Sequence, residues 1–329
     1  MTGGAAGAEA QGSPTATRSD YLLLALLGVI WGSAFPVIRW GLLSGAPILA
    51  FAGLRLVLAA AGAALLALLL RERLPDRRRL AISTILGGIT VVGAYAAFLY
   101  LGEGSVPGGL SAVIVASAPI WSAIIAIPFL PGEGFGVRGA LGLGLGFGGV
   151  AVLFLPDLLS PGHVGILGAA LVLAAALSFA VGSVATRRLL KGPQGSWEVS
   201  GQFLVAGALL YGLAGVSGEG VVVPCTGTVG LSLLYLAAVS SVLGMTIYLR
   251  LHHRIGPSRA NLVAYVNPLA GIAVGILLLG ESLTLSELGG LLLIVSGLGL
   301  LRSDPGSAPR APRDAALPAA EPGPTAVGK

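Results

Sequence analysis

One basic residue lies well inside an apolar stretch of this sequence and is the first candidate for binding chemistry. Arg55 falls within the apolar run 47–70. A bare charge in the middle of a membrane costs at least about 2.5–3.5 kcal/mol, so its guanidinium must face protein or water. Arg55 can bind a carboxylate of a substrate or act as a gate. It can equally be a structural arginine that reaches outward or bonds to helix-end carbonyl groups, and both interpretations stay open.

Two prolines inside apolar runs mark places where a helix can break. Pro119 and Pro268 are 149 residues apart, and Asn267 directly precedes the second. Proline removes a helical hydrogen bond, and a freed carbonyl group can line a substrate site. The alternative is a kink that only improves packing. We predict helix breaks at Pro119 and Pro268. The candidate cavity residues beside them are Ser117, Trp121, Tyr265 and Asn267, and those on other runs are Trp31, Ser33, Tyr95 and Ser178.

Three glutamates follow apolar runs. Glu103 ends the third run, where it is either a loop carboxylate or a group that couples ion movement to transport. Glu133 and Glu281 are 148 residues apart and each follows a glycine at the close of a run. Because a carboxylate is favourable near a helix N-terminus, we expect both to share a structural role, capping or starting the next helix.

No set of residues has the spacing of a catalytic or metal site. His163 and the pair His252–His253 fall in loops without neighbouring carboxylates, so a metal site is unsupported. The glycine-rich stretch 142–149 lacks the lysine and hydroxyl partners of a phosphate loop. Its small residues at four-residue intervals, Gly142/Gly146 and Gly144/Gly148, suit close helix packing instead. We expect no cofactor, no metal and no enzymatic activity.

The composition requires a membrane as solvent. Of the 329 residues, 55% are hydrophobic and 10% are charged, whereas soluble domains carry about 25% charged residues. The long, non-alternating runs, rich in Leu and Ala, predict helices and not a barrel. We predict an all-α integral membrane protein with ten transmembrane helices, over runs 21–39, 47–70, 81–101, 109–130, 139–156, 164–186, 197–217, 229–250, 260–279 and 283–301.

The basic residues predict how these helices are oriented. Arginines and lysines are enriched in cytoplasmic loops. If both termini are cytoplasmic, 17 of the 19 basic residues lie on that side and only Arg39 and Arg55 do not. Because the basic residues fall between apolar runs, they do not indicate nucleic acid as a partner.

Ten helices divide into two inverted halves of five. An odd number of spans in each half forces the halves into opposite orientations. Residues 31–39 and 179–187 both begin with an aromatic residue and end with arginine, at the same spacing of 148 as the two Gly-Glu pairs. The repeat predicts a transporter with its site between the halves.

The sequence resembles the EamA-type transporters of the drug/metabolite transporter superfamily in the order and spacing of four motifs. These motifs are WGSAFPVIRWGL, APILAFAGLRLVLAA, LSAVIVASAPIWSAI and PSRANLVAYVNPLAGIAVGILLLGESLTLSELGGLLLIVSGLGL. The resemblance covers about residues 21–301. It implies two five-helix EamA repeats, at 21–157 and 163–301, in the cell inner membrane, around a central cavity that moves amino acids, metabolites or drugs, often outward. Glu103 departs from the apolar residue that many relatives have there.

The most direct interpretation of the sequence is a secondary carrier, which we expect to export its substrate by alternating access. The alternatives are a membrane sensor or scaffold that transports nothing, and a lipid-modifying membrane enzyme. We expect a small-molecule substrate and the lipid bilayer as partners, and a homodimer is left open. The tails 1–20 and 302–329 are expected to be disordered and cytoplasmic.

Overall fold

The computed structural model describes residues 17–129, 136–159, 165–190, 192, 194–224, 227–255, 260 and 262–302, and every regular element in these ranges is helical. We number ten helical segments in chain order. They are α1 (Arg18–Leu43), α2 (Ile48–Leu69), α3 (Arg77–Glu103), α4 (Gly108–Phe129), α5 (Val137–Leu159), α6 (Ile166–Leu189), α7 (Ser196–Ser217), α8 (Gly227–Ile255), α9 (Val263–Leu279) and α10 (Leu285–Arg302).

These segments lie where the ten apolar runs predicted helices. Within the described ranges, seven are long and apolar enough to cross a membrane, and those over Val137–Leu153, Val263–Leu279 and Leu285–Leu300 are shorter. Many large apolar side chains point outward, among them Leu69 at 71% exposure and Leu277 at 85%. Such a surface suits lipid and not water. The predicted all-α membrane fold is confirmed, while the predicted tails lie almost entirely outside the described residues.

Two helices contain long π-helical segments at corresponding positions of the two halves. The segment Ser83–Ala94 lies inside α3, and Tyr235–Leu243 lies inside α8. In a π-helix each backbone N–H bonds five residues back, which alters the direction of the side chains and is frequent at functional sites. Both segments contact the other half of the chain, and the second carries the hydroxyl groups of the candidate site described below.

The predicted helix breaks have different outcomes. Helix α4 consists of two pieces, Gly108–Val115 and Ala118–Phe129, separated by a turn at Ala116 and Ser117. Pro119 is the second residue of the second piece, where its missing N–H costs little because the first helical N–H groups have no partner in the helix.

The break predicted at Pro268 is wrong. Helix α9 runs without interruption over Val263–Leu279, and Pro268 lies buried inside it. The fixed φ of proline, about −65°, is compatible with a helix, so the ring removes one backbone hydrogen bond without ending the helix. The prediction relied on spacing, which carries no information about whether neighbouring helices support the backbone.

Glycines allow the two halves to approach closely. Helices α2 and α7 cross where a Cβ on Gly53 would lie 2.7 Å from the backbone nitrogen of Tyr211, and α5 and α10 cross at Gly149 and Gly290. Gly142 and Gly146 face Gly297 of α10, so the first predicted glycine pair is a packing surface. Gly144 and Gly148 have open space beside them, and the second pair does not pack.

Candidate functional site

Arg55, near the middle of α2, lies at the junction of three helices. Its Nη1 donates to the hydroxyl of Tyr100 on α3 at 2.9 Å, and its Nε donates to the hydroxyl of Ser241 at 3.3 Å. Its Nη2 lies 3.5 Å from the hydroxyl of Ser240. Both serines belong to the π-helical segment of α8. The guanidinium is thereby held by hydroxyl groups from both halves of the chain.

All of the hydrogen-bond partners of Arg55 in the described part of the chain are neutral. The described ion pairs join other residues, and no carboxylate in the described ranges lies within 4 Å of Arg55. Hydroxyl groups stabilise and orient a guanidinium but do not cancel its charge. Since a buried charge without a counterion is costly, this geometry suits an anionic group that arrives with a ligand.

Two further predicted residues lie beside this site. Trp31 of α1 donates through its indole nitrogen to the backbone oxygen of Ser240 at 3.1 Å. The hydroxyls of Ser33 and Tyr235 are 2.6 Å apart, which joins α1 to the same π-helical segment. Trp31, Ser33 and Arg55 are thus gathered around one segment of α8, as a common site requires.

Tyr95 and Ser178 line the contact between α3 and α6. The rings of Tyr95 and Phe179 meet edge to face with centroids 6.0 Å apart. Ser178 donates to the backbone oxygen of Thr90 at 3.3 Å. Tyr95 lies on the same helix as Tyr100, which accepts from Arg55, so this contact borders the Arg55 site.

The candidates on α4 and α9 make other contacts. At the break in α4, the indole nitrogen of Trp121 donates to the Ser117 hydroxyl, which itself donates to the backbone oxygen of Ile114. The Asn267 amide, oriented with its nitrogen toward the neighbouring oxygens, donates to Val263 at 3.1 Å and to Gly28 of α1 at 3.3 Å. These groups serve helix packing in this conformation. Tyr265 also lies on α9, close to its start.

A second polar cluster lies at the end of the bundle where α1 and α3 finish, which we call the Arg39 end. The Glu281 carboxylate accepts hydrogen bonds from the backbone nitrogens of Gly108 at 2.7 Å and Gly109 at 2.9 Å. Arg39 donates to the backbone oxygens of Glu103 and Val106 at 2.7 and 2.8 Å. Its Nε lies 3.8 Å from Glu281. This end is therefore closed by bonds between the two halves.

Glu281 was expected to cap or start the next helix, which is α10; it caps α4 of the opposite half instead. The N-terminus of α4 follows Pro107 and presents free N–H groups. A carboxylate there satisfies two of them and interacts favourably with the helix dipole. Glu133 and His163 lie outside the described residues.

Glu103 is the buried group in this cluster with no partner of its own. Its side chain is 0% exposed, and neither carboxyl oxygen has a hydrogen-bond partner among the described residues. The hydroxyl of Ser111 on α4 is likewise buried and unbonded, and it lies close enough to Glu103 to interact with it.

The opposite end of the bundle, which we call the Arg79 end, is also closed by charged groups from both halves. Arg79 at the start of α3 contacts Glu198 on α7, with Nε 3.0 Å from Oε1. Glu72 follows α2 and accepts from the backbone nitrogen and the hydroxyl of Ser196 at the start of α7, at 2.8 and 2.6 Å.

A counterpart of the Glu72 cap exists at the Arg39 end. Glu219 follows α7 and accepts from the backbone nitrogen of Leu49, at the start of α2, at 2.8 Å. Glu72 and Glu219 are 147 residues apart, as are Leu49 and Ser196. Helices α2 and α7 therefore cap each other through equivalent glutamates, an arrangement that an inverted repeat produces.

Sequence reasoning missed Tyr100, Tyr235, Ser240 and Ser241 as neighbours of Arg55. Adjacent serines in an otherwise apolar run were a usable signal, because hydroxyl groups at membrane depth need partners. The mutual caps could also have been found, since Glu72 and Glu219 share the repeat spacing.

Comparison with known proteins identifies the architecture. The model of the EamA-like transporter family matches twice, at residues 18–155 and 166–303. The described part of α1 to α5 falls within or beside the first match and that of α6 to α10 within the second. Two five-helix repeats, as predicted, therefore make up the bundle.

Curated relatives of similar length bear transporter names. The "Probable amino-acid metabolite efflux pump" of Escherichia coli (strain K12) is 31% identical over 294 residues, covering 86% of this chain and 94% of the relative. The "Uncharacterized inner membrane transporter YedA" of the same strain is 31% identical over 267 residues, covering 79% and 83%. The "Probable terminal-alkyne amino-acid exporter" of Streptantibioticus cattleyicolor is 31% identical over 268 residues, covering 78% and 84%.

A solved crystal structure has the same fold. It matches with a TM-score of 0.60 and 19% sequence identity, and the match covers 86% of this chain and 97% of the other. At this identity the likeness concerns the arrangement of helices alone.

Proposed function

Because the chain belongs to the EamA-like transporter family, we propose that it is a secondary carrier that exports small metabolites bearing a carboxylate. The observation that carries this proposal is the charge of Arg55 inside α2, whose hydrogen-bond partners among the described residues are all neutral. The substrate carboxylate is the missing anion. Amino-acid metabolites have this group, and two of the relatives are named for amino acids or their metabolites.

The site favours a carboxylate for geometric reasons. Arginine presents a planar set of N–H donors that matches the two oxygens of a carboxylate. The hydroxyls of Tyr100, Ser240 and Ser241 hold the guanidinium in place before the substrate arrives, which lowers the entropy lost on binding. The aromatic ring of Trp31 and the hydroxyls of Ser33 and Tyr235 surround the same position and suit the rest of a small amphiphilic molecule.

The placement of the polar contacts supports alternating access. Bonds between the halves lie at both ends of the bundle, with Arg39 and Glu281 at one end and Arg79 and Glu198 at the other. Arg55 lies between these ends on α2. A carrier that breaks one set of bonds at a time exposes the site to one side of the membrane and then to the other. In this scheme the Arg39 end faces outward, because the excess of basic loop residues then lies in the cytoplasm with both termini.

The test is flux into proteoliposomes. We expect uptake of radiolabelled amino acids by inside-out protein to be competed by other carboxylates and not by the methyl esters of the same amino acids. Replacing Arg55 with Ala should weaken substrate binding about tenfold to a hundredfold, which is the value of one hydrogen bond to a charged group. Arg55→Lys should retain part of the binding, and Arg78→Ala, which removes an exposed arginine, is the matched control.

Three results would contradict the proposal. If methyl esters compete as strongly as free acids, the site does not recognise the carboxylate of the substrate. Normal transport by folded Arg55→Ala protein would place the site elsewhere. No flux of any tested metabolite by the wild-type protein, with the fold intact, would favour a sensor or scaffold.

Reporter fusions at Lys329 and in the 218–224 loop should give opposite signals if the orientation is right.

A further inference from the structure

The carboxyl group of Glu103 is buried without a hydrogen-bond partner among the described residues. It lies at the end of α3, fully buried, and neither of its oxygens receives a hydrogen bond within the described ranges. An ionised carboxylate without donors is strongly disfavoured in such surroundings. The Ser111 hydroxyl beside it also lacks a partner. A proton on the carboxyl group removes this cost, because a carboxylic acid carries no charge.

Charged and titratable groups face Glu103 from several helices. Arg39 of α1 and Arg55 of α2 favour its charge, and Glu281 opposes it. Tyr95 and Tyr100 lie on its own helix and interact with it. Helix α6 packs against Gly102, next to Glu103, through Gly168 and Val172.

A metal cation fits this place less well than a proton. A cation needs several oxygen ligands, and two nearby backbone oxygens, those of Glu103 and Val106, already accept from the guanidinium of Arg39. That guanidinium is itself a positive charge beside the site. A proton needs neither additional ligands nor space.

We propose that Glu103 is a proton-binding site whose protonation closes the Arg39 end of the carrier. With Glu103 neutral, Arg39 stays between the backbone oxygens of α3 and the carboxylate of Glu281, and Glu281 stays on the N-terminus of α4. Loss of the proton creates a carboxylate that competes with Glu281 for Arg39. The bonds across the halves weaken, the end opens, and water reaches Glu103. The inference rests on the carrier function proposed above, and it makes that function proton-dependent.

The first measurement is infrared spectroscopy of the protein in liposomes. We expect the C=O stretching band of a buried, protonated carboxylic acid at neutral pH, and we expect Glu103→Gln to remove it. Glu287→Gln is the matched control, because that carboxylate lies at the same end but is partly exposed and accepts from the backbone nitrogen of Thr284. The proposal is overturned if the wild-type protein lacks the band or if Glu103→Gln retains it.

The second measurement follows the opening of the Arg39 end. Leu110 is 5% exposed and lines a cleft between the halves together with Glu281. A Leu110→Cys variant, with the single native cysteine replaced by Cys225→Ser, is treated with a water-soluble maleimide across a range of pH. Maleimide reacts with the thiolate, so each rate is divided by that of an unfolded reference cysteine at the same pH. We expect this ratio to become several-fold larger as pH rises, because deprotonation opens this end. Glu103→Gln should abolish the pH dependence of the ratio and keep it small throughout, whereas Glu287→Gln should preserve it.

Neither measurement requires a substrate. If no metabolite is transported but the band and the pH-dependent labelling depend on Glu103, the carrier proposal fails and the proton site stands. If metabolites are transported and labelling is independent of pH in both proteins, the proton site fails and the carrier proposal stands.

Discussion

Removal of the Glu281 carboxylate tests how firmly the two halves are joined at the Arg39 end. Its oxygens accept from the backbone nitrogens of Gly108 and Gly109 at 2.7 and 2.9 Å, and its side chain is only 13% exposed. After Glu281→Ala, both N–H groups lose their acceptor where little water is present to replace it. We expect a clear loss of stability.

The magnitude follows from the number and kind of bonds. A hydrogen bond to a charged group contributes about 1.5–3 kcal/mol, so two contribute roughly 3–6 kcal/mol. The ion pair with Arg39 adds less, since 3.8 Å is long for a hydrogen bond and such pairs are usually worth about 0.2–1 kcal/mol. Glu281→Gln keeps one neutral acceptor oxygen, worth about 0.5–1.5 kcal/mol, and places an NH2 donor against the other backbone N–H group, so it should lose roughly three quarters as much.

The assay is thermal unfolding of the protein in detergent, followed by loss of monodisperse protein after heating. We expect the order of stability wild type, Glu281→Gln, Glu281→Ala. The control is Glu219→Ala, which removes an exposed carboxylate that caps α2 through one hydrogen bond at the same end. If Glu281→Ala is no less stable than Glu219→Ala, the cap on α4 contributes little and the reasoning is refuted.

Two further predictions concern the boundary between the halves. Gly53→Ala should sharply reduce the yield of folded protein on size-exclusion chromatography, because its Cβ would collide with the backbone of α7. The control is Gly212→Ala, which faces open space on α7 and should leave the yield unchanged. Equal yields of the two variants would contradict the crossing geometry. Arg39→Gln should speed maleimide labelling at Leu110→Cys and slow it at Leu66→Cys, in the cleft near the Arg79 end, while Arg79→Gln should do the reverse. Faster labelling at both positions in either variant would show that the ends open independently.

How much was predictable from the sequence depends on the kind of signal. The ten helices follow from long apolar runs, because only helices satisfy the backbone across a membrane when runs are this long. The position of Arg55 in a span was equally visible. Its pairing with Ser240 and Ser241 was not, although two adjacent serines were a signal, because a π-helical segment of the other half brings these hydroxyl groups to Arg55 and π-helices have no periodicity that a sequence displays.

The two prolines show what sequence spacing alone does not predict. Spacing related Pro119 to Pro268, yet the structure interrupts α4 two residues before the first and leaves α9 continuous through the second. Whether a proline ends a helix depends on which neighbour satisfies the freed carbonyl group, and that is a property of packing. Asn267 shows the same dependence, since its amide bonds to the backbone of α1 and of its own helix.

Some features of this protein recur in both five-helix halves and others occur in one half only. The recurring features form the helical frame, and the others are the groups proposed to bind substrate and proton. The glycine crossings, the π-helical segments and the caps by Glu72 and Glu219 recur in both halves, as parts of a frame that moves must. Arg55 and Glu103 do not recur, because 148 residues further along the chain are Phe203 and Leu251. Charges present in one half only, at membrane depth and at the end of a span, are what a symmetric carrier needs to bind one anionic group and one proton as its halves alternate.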